Sequence, residues 1–261
     1  MPQLITGLTS ITFRQSKPQE IISLAQKGNL LAIEWGGDIH VPHGHLKTAK
    51  EVSKLTKEAG LRVSSYGSYY QIGVSDSQGL NFSKVLDTAC ELSAPTLRVW
   101  AGSQSYANAK DSQKKWIYDE TRQICEVAEQ AGVTLAVEYR DNTLNDSLEA
   151  ALDFLDQVNH PNYKTYWQPQ AKNTLEECVE ELESLVYSLS NVHINSIDYQ
   201  TGERQALDEA SELWTRCFNE LLTSDQLHYL LLEFVKDKSP DQFLEDCKTL
   251  HRLLEELEIS L

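Results

Sequence analysis

Short apolar runs alternate along the chain with longer amphipathic stretches, and the alternation repeats eight times. The apolar runs occupy residues 4–8, 30–33, 61–63, 96–99, 133–137, 163–167, 192–194 and 227–232. With Ser10, Trp35, Ser65, Trp100, Glu138, Trp167, Asn195 and Glu233 taken at or near their ends, successive runs lie 25 to 38 residues apart. A spacing of roughly thirty is the length of one strand, one helix and the loops that join them. Between the runs the apolar period changes to that of a helix face. Ala49, Val52, Leu55 and Ala59 recur at steps of three and four, as do Phe243, Cys247, Leu250, Leu254 and Leu257. Lys47, Lys50, Lys54 and Lys57 share that spacing on what reads as a solvated face.

Element boundaries are written in the same way. Ser239-Pro240-Asp241-Gln242 offers an N-cap serine, a proline in the first turn and a glutamine at the capping-box position, and Asp146-Ser147-Leu148-Glu149 is a second start signal. Gly28, Gly60 and Gly132 precede strands at points where a helix would end in a left-handed residue. Eight strand–helix units in succession, without a Pro/Ser-rich linker or a low-complexity tract, predict parallel strands, and eight is the number that closes a barrel. The expected fold is a (β/α)8 TIM barrel, with residues 1–261 as one domain. An open doubly wound sheet is the alternative. It is weakened because Gly7-Leu8-Thr9-Ser10 follows the first run without the glycine pattern of a dinucleotide loop.

Composition narrows the partners. The 261 residues carry 23 Lys and Arg against 39 Asp and Glu, a net charge of −16, with 41% hydrophobic residues. That charge repels phosphate backbones and anionic membrane surfaces, so neither nucleic acid nor membrane is an expected partner. No stretch approaches the roughly 18 consecutive apolar residues of a membrane span, and the first ten residues lack the basic and apolar regions of a secretory signal. A cytoplasmic location is the expectation, with a small molecule as partner; pairing of two copies is compatible with the sequence but leaves no legible mark on it. Cys90, Cys125, Cys178, Cys217 and Cys247 are scattered through helix-like stretches and read as buried thiols.

In a barrel of this kind the chemistry sits at the C-terminal ends of the strands. Three ionisable residues, Glu138, His193 and Glu233, stand at the ends of apolar runs, where charge is costly unless it is paired, hydrogen-bonded or bound to metal. Two carboxylates and an imidazole, with the amide oxygen of Gln168, suit a divalent cation such as Mn²⁺, Mg²⁺, Co²⁺ or Zn²⁺. Salt bridges from the glutamates to Arg98 or Arg140 are the other way to hold them. Tyr66, Tyr69, Tyr70, Trp100 and Trp167 fall at or just past strand ends, where their faces could stack on a sugar ring or simply plug the barrel mouth. His40, His43 and His45 have the composition of a metal cluster, but the proline and glycine between them favour a surface turn.

These residues resemble a known group: the sugar phosphate isomerase/epimerase family of xylose-isomerase-like barrels, which shares its fold with endonuclease IV. The resemblance rests on Ile33-Glu34-Trp35-Gly36-Gly37-Asp38 with His40-Val41-Pro42, on Ser65-Tyr66-Gly67-Ser68-Tyr69-Tyr70, and on Leu97-Arg98-Val99-Trp100-Ala101-Gly102. It continues in Val137-Glu138 before Thr143-Leu144-Asn145-Asp146, in Val192-His193 and in Leu232-Glu233-Phe234. It implies one divalent metal held by Glu138, Gln168, His193 and Glu233, with Gln168 standing where an aspartate is usual. Arg140 likewise stands where a histidine is frequent. The implied reaction is isomerisation or epimerisation of a sugar or sugar phosphate through an enediolate, with Glu138 and Glu233 alternating as base and acid. Substrate contacts are assigned to Glu34, His40, Tyr66, Arg98, Trp100, Arg140, Trp167, Arg204 and Lys236. Three rival readings keep the barrel: a dehydratase of the inosose-dehydratase kind, a DNA-repair enzyme of the endonuclease IV kind, against which stand the −16 charge and the shortage of strand-end histidines, and a sugar-binding barrel that has lost catalysis.

Overall fold

The computed structural model describes residues 3–170, 172–198 and 201–257. Within them the strands are β1 (Gln3–Thr9), β2 (Ala32–Gly36), β3 (Arg62–Ile72), β4 (Thr96–Ala101), β5 (Thr134–Glu138), β6 (Tyr163–Trp167), β7 (Leu189–Ile194) and β8 (Leu227–Leu232). They alternate with α1 (Pro18–Lys27), α2 (Leu46–Glu58), α3 (Phe82–Leu92), α4 (Asp111–Gln130), α5 (Leu148–Val158), α6 (Leu175–Leu185), α7 (Ser211–Leu221) and α8 (Pro240–Glu256). The strands are parallel and close in chain order, β1 pairing with both β2 and β8. The sheet is therefore the closed barrel, not the open alternative, and every apolar run in the sequence overlaps a strand.

Parallel barrel strands are covered on both faces, which is why they read as continuous apolar runs and not as alternating ones. Their side chains divide into two layers. Ile5, Ala32, Ala136, Tyr166, Tyr229 and Leu231 form a small cluster inside the barrel. Neighbours of opposite parity, among them Ile33, Leu97, Val99, Val137 and Val192, join a much larger cluster with helix residues such as Phe154, Phe218 and Leu250. In α8, Phe243, Cys247, Leu250, Leu253 and Leu254 are all buried, so truncating Phe243 to alanine should cost about 3–5 kcal/mol. No helix among the described residues is long and apolar enough to cross a membrane.

Local signals hold with three corrections. The Ser239 side chain caps α8 by accepting from the Gln242 amide at 3.3 Å, with Pro240 in the first turn. For α5 the cap is Ser147, accepting from the Ala150 amide at 3.2 Å, and not Asp146. Gly60 and Gly132 adopt φ of 79° and 71°, but Gly28 stays at −80° and Asn29 takes the left-handed position at 51°. Asparagine tolerates this because its short polar side chain bonds locally. Cys90 is exposed, whereas the other four cysteines are buried and burial pushes their thiols up.

Candidate functional site

Side-chain alternation decides which strand residues face the barrel axis. Glu34, Ser65, Arg98, Glu138, Tyr166 and His193 share the inward parity, and Glu233 follows β8 by one residue. They form a buried polar layer on top of the small apolar cluster. Arg98 donates through Nη2 to Glu34 Oε1 at 2.8 Å and through Nε to the same oxygen at 3.1 Å, and through Nη1 it donates to Glu138. Tyr166 Oη at 2.6 Å and Ser65 Oγ at 2.8 Å donate to Glu34 Oε2. The Arg98–Glu34 pair passes over β3 at Gly67, where a Cβ would lie 2.5 Å from Arg98 Nη2 and 2.8 Å from Glu34 Oε1. Glycine is required there because the ion pair occupies the space of a side chain.

Glu138 accepts from three N–H groups: Arg98, Trp100 Nε1 and Gln168 Nε2, the last at 3.0 Å. His193 is fully buried between the carboxylates, with Nε2 3.4 Å from Glu34 Oε1, and Nδ1 3.5 Å from Glu233 Oε2 and 3.8 Å from Glu138 Oε1. These are charge contacts off the hydrogen-bond line, and neither ring nitrogen has a hydrogen-bond partner.

The electrostatics divide the layer. Burial alone would raise the Glu34 carboxyl, but Arg98 and His193 outweigh it and hold the group well below the usual carboxylate range. Burial opposes charge on His193, yet Glu233 and Glu34 raise its proton affinity above the ordinary imidazole value of 6.5. Glu233 moves the other way from Glu34: burial, reinforced by Glu138, raises its carboxyl above 4.5 against the pull of His193 and Arg98. Two carboxylates in one layer thus have opposed tendencies, the arrangement that separates ionised from proton-carrying roles.

Above this floor lie aromatic and basic groups. Tyr69 meets Trp100 edge to face, with ring centroids 5.1 Å apart, and the Arg140 guanidinium lies 4.3 Å over Trp100. Arg204 stacks on Phe234 at 3.6 Å, and both line a cavity of about 470 Å³ with Arg14 and Lys238. Tyr69 and Phe234 hold φ of 58° and 59°, strained values for aromatic residues beside a site. Lys236 follows β8 in the loop, partly exposed.

Other residues assigned to substrate lie elsewhere. Trp167 points outward, donating to Glu181 Oε2 at 2.8 Å and packing edge-on against Trp214. Tyr66 also faces outward and donates to the Val41 carbonyl at 2.7 Å. His40 is buried beside Ser10 Oγ at 3.0 Å, while His43 Nδ1 lies 2.8 Å from Tyr66 Oη. Ser65 and Tyr166 were missed as partners of Glu34, although they share its inward parity. Glu181 was missed too: it accepts from Tyr139, Trp167 and Asn173, tying the ends of β5 and β6 to α6. Its signal is a carboxylate on the apolar face defined by Cys178, Leu182 and Leu185.

The metal set can be tested on these contacts. Gln168 Nε2 lies 3.0 Å from both Glu138 Oε1 and the Tyr139 carbonyl oxygen. Both partners are acceptors, so the amide must present its nitrogen, not the oxygen a cation would need. Among the described residues no group of three or more His, Cys, Asp and Glu side chains is arranged to hold a metal ion. The donor set does not fit the ion.

Comparison with known proteins places this geometry. The sequence matches the family described as xylose isomerase-like TIM barrel over residues 24–253. It is 26% identical over 172 residues to a 3-dehydroshikimate dehydratase from Bacillus anthracis, an alignment spanning 60% of this chain and 59% of that protein. The crystal structure of the probable 3-DHS dehydratase of petrobactin synthesis from Bacillus anthracis superposes with a TM-score of 0.80 at 20% identity, covering 96% of this chain and 99% of that one. The 3-keto-D-glucoside 4-epimerase from E. coli gives 0.73 at 16% identity, covering 97% and 100%. At these identities the superpositions speak for the fold alone.

Proposed function

The chain belongs to the xylose isomerase-like TIM barrels, and we propose that it moves a proton at the carbon next to a carbonyl in a small, polyhydroxylated substrate. The observation that supports this most is the contrast between Glu138 and Glu233. Glu138 is occupied by three N–H donors. Glu233, raised by burial and 3.5 Å from His193, is the group suited to take a proton from carbon and give it back. His193 has no exposure and is a positioning residue acting through Glu233.

Arg98 offsets part of the negative charge of the two carboxylates it ties down, so that charge developing on a substrate oxygen in this dry environment meets less repulsion. Trp100, Arg140, Arg204 and Lys236 around the mouth supply a stacking face and positive charge for the rest of the substrate. A divalent ion has no part in this reading, because Gln168 presents its amide nitrogen and Glu138 is occupied by three N–H donors.

A single proton carrier on one face suits isomerisation, in which one group removes and returns the proton. Dehydration is the second reading, favoured by the same single-carrier geometry and by the 26% identity to a 3-dehydroshikimate dehydratase. Inversion of a carbon centre needs a second carrier on the opposite face, and Glu138 is not free to be it. The test is a turnover screen of ketoses, their phosphates and cyclic keto acids with wild type and Glu233→Gln. Turnover of one of these by wild type and not by the variant is expected; equal turnover by both would overturn the assignment.

A further inference from the structure

We propose that this barrel works without the divalent ion its family resemblance implies: Arg98 supplies the positive charge from within the chain, and the Gln168 amide closes the ion's place beside Glu138. Both residues act at the site described above, but the inference concerns what that site binds, not which reaction it performs.

The first support is how Glu138 is occupied. Its two oxygens accept from the Arg98 guanidinium, the Trp100 indole and the Gln168 amide. Oε2 is shared by Arg98 and Trp100, and on Oε1 an ion would compete with the Gln168 amide for the same carboxylate, beside an Arg98 side chain that is only 2% exposed. The second is the direction of Gln168. Turning its amide to offer oxygen would set that atom 3.0 Å from Glu138 Oε1 and from the Tyr139 carbonyl oxygen, two acceptors without a proton between them.

Charge gives the third support. A metal site with two carboxylates, an aspartate and a histidine carries three negative charges for a doubly charged ion. With Gln168 in the aspartate's place one of those charges is gone. Arg98 already bridges Glu34 and Glu138, contributing a fixed positive charge to the carboxylate an ion would share. A second cation at Glu138 would face that guanidinium at contact distance with one carboxylate between them.

A reversal experiment follows from this account. Wild type purified without chelator is analysed by elemental mass spectrometry, then titrated with Mn²⁺, Co²⁺ and Zn²⁺ while thermal unfolding is followed. Gln168→Asp is treated identically, with Gln168→Asp/His193→Ala as control. Wild type is expected to hold an ion in fewer than about one chain in ten and to show no metal-dependent shift. Gln168→Asp restores a carboxylate and removes the donor to Glu138. It is expected to gain about one ion per chain and, at about 100-fold saturation, to melt about 5 °C higher, with both gains lost in the double variant.

Wild type that keeps about one ion per chain through gel filtration, and melts lower after chelation, would overturn the proposal. Folded Gln168→Asp that takes up no ion would overturn the role given to the amide. If Gln168→Asp does not fold, the wild-type stoichiometry decides. These readouts follow metal and not turnover, so a metal-bound wild type and an inactive wild type are separate results.

Discussion

Arg98 on β4 and Glu34 on β2 are joined across the intervening strand β3 by a buried ion pair in which each side chain is 2% exposed. Because Arg98 also donates to Glu138 on β5, one guanidinium fixes the inward ends of three strands. Removing one partner of such a group leaves charge without compensation, which costs more than the pair itself contributes. Arg98→Leu should therefore lose about 3–5 kcal/mol in urea unfolding. A loss below about 1 kcal/mol, the range of an exposed pair, would mean that the carboxylates find other partners.

Gly67 marks the same pair from the backbone side. A methyl group there would stand 2.5 Å from Arg98 Nη2, whose guanidinium is held by Glu34 and Glu138. Gly67→Ala should destabilise by about 1–3 kcal/mol and displace Arg98. An unchanged thermal midpoint would show that the layer yields more easily than its packing indicates.

The pH dependence of stability has opposite signs for two glutamates. The depressed Glu34 carboxyl contributes stability that is present above its ordinary value of 4.5 and is lost as pH falls below it. The raised Glu233 carboxyl contributes stability that is fully present below 4.5 and is lost as pH rises through its folded value. Glu233→Gln should therefore gain on wild type as pH rises above 4.5, and the difference should close on acidification. Thermal midpoints of the two proteins between pH 4 and 9 provide the comparison; a constant offset would contradict the raised proton affinity.

Glu181 gives a test on the outer side of the same strand ends. Its carboxylate accepts from Tyr139 Oη, Trp167 Nε1 and Asn173 Nδ2 at the junction of β5, β6 and α6. Glu181→Ala strands the buried Tyr139 and Trp167 donors, and the expected loss is about 3 kcal/mol. Glu181→Gln keeps one acceptor and should lose less. Equal losses would indicate a packing role and not a hydrogen-bonding one.

The barrel was legible because parallel strands buried on both faces write apolar runs, and the run at Tyr163–Trp167 coincides with β6 to the residue. β3 was legible only at its start. Beyond Val63 it continues through Ser64, Ser65, Tyr66 and Gly67 to Ile72, and the serines break the apolar run. Glu138, His193 and Glu233 are legible as candidates because charge at the end of an apolar run stands out. Their partners are not, since pairing depends on which strand faces which across the barrel, and that is set by closure. The placement of Trp167 and Tyr66 illustrates the limit: an aromatic at a strand end can face the axis or the helices. On β6, Tyr166 and the following Gln168 share the parity that faces the axis, which turns Trp167 outward.

The most direct test of proton transfer at Glu233 is deuterium wash-in from D₂O at the carbon next to the substrate's carbonyl. It is followed by NMR for wild type and Glu233→Gln, with the substrate taken from the turnover screen. Wild type should introduce deuterium at that carbon, and the variant should do so about 10²–10⁴-fold more slowly. Deuterium entering at the wild-type rate in Glu233→Gln would contradict the account.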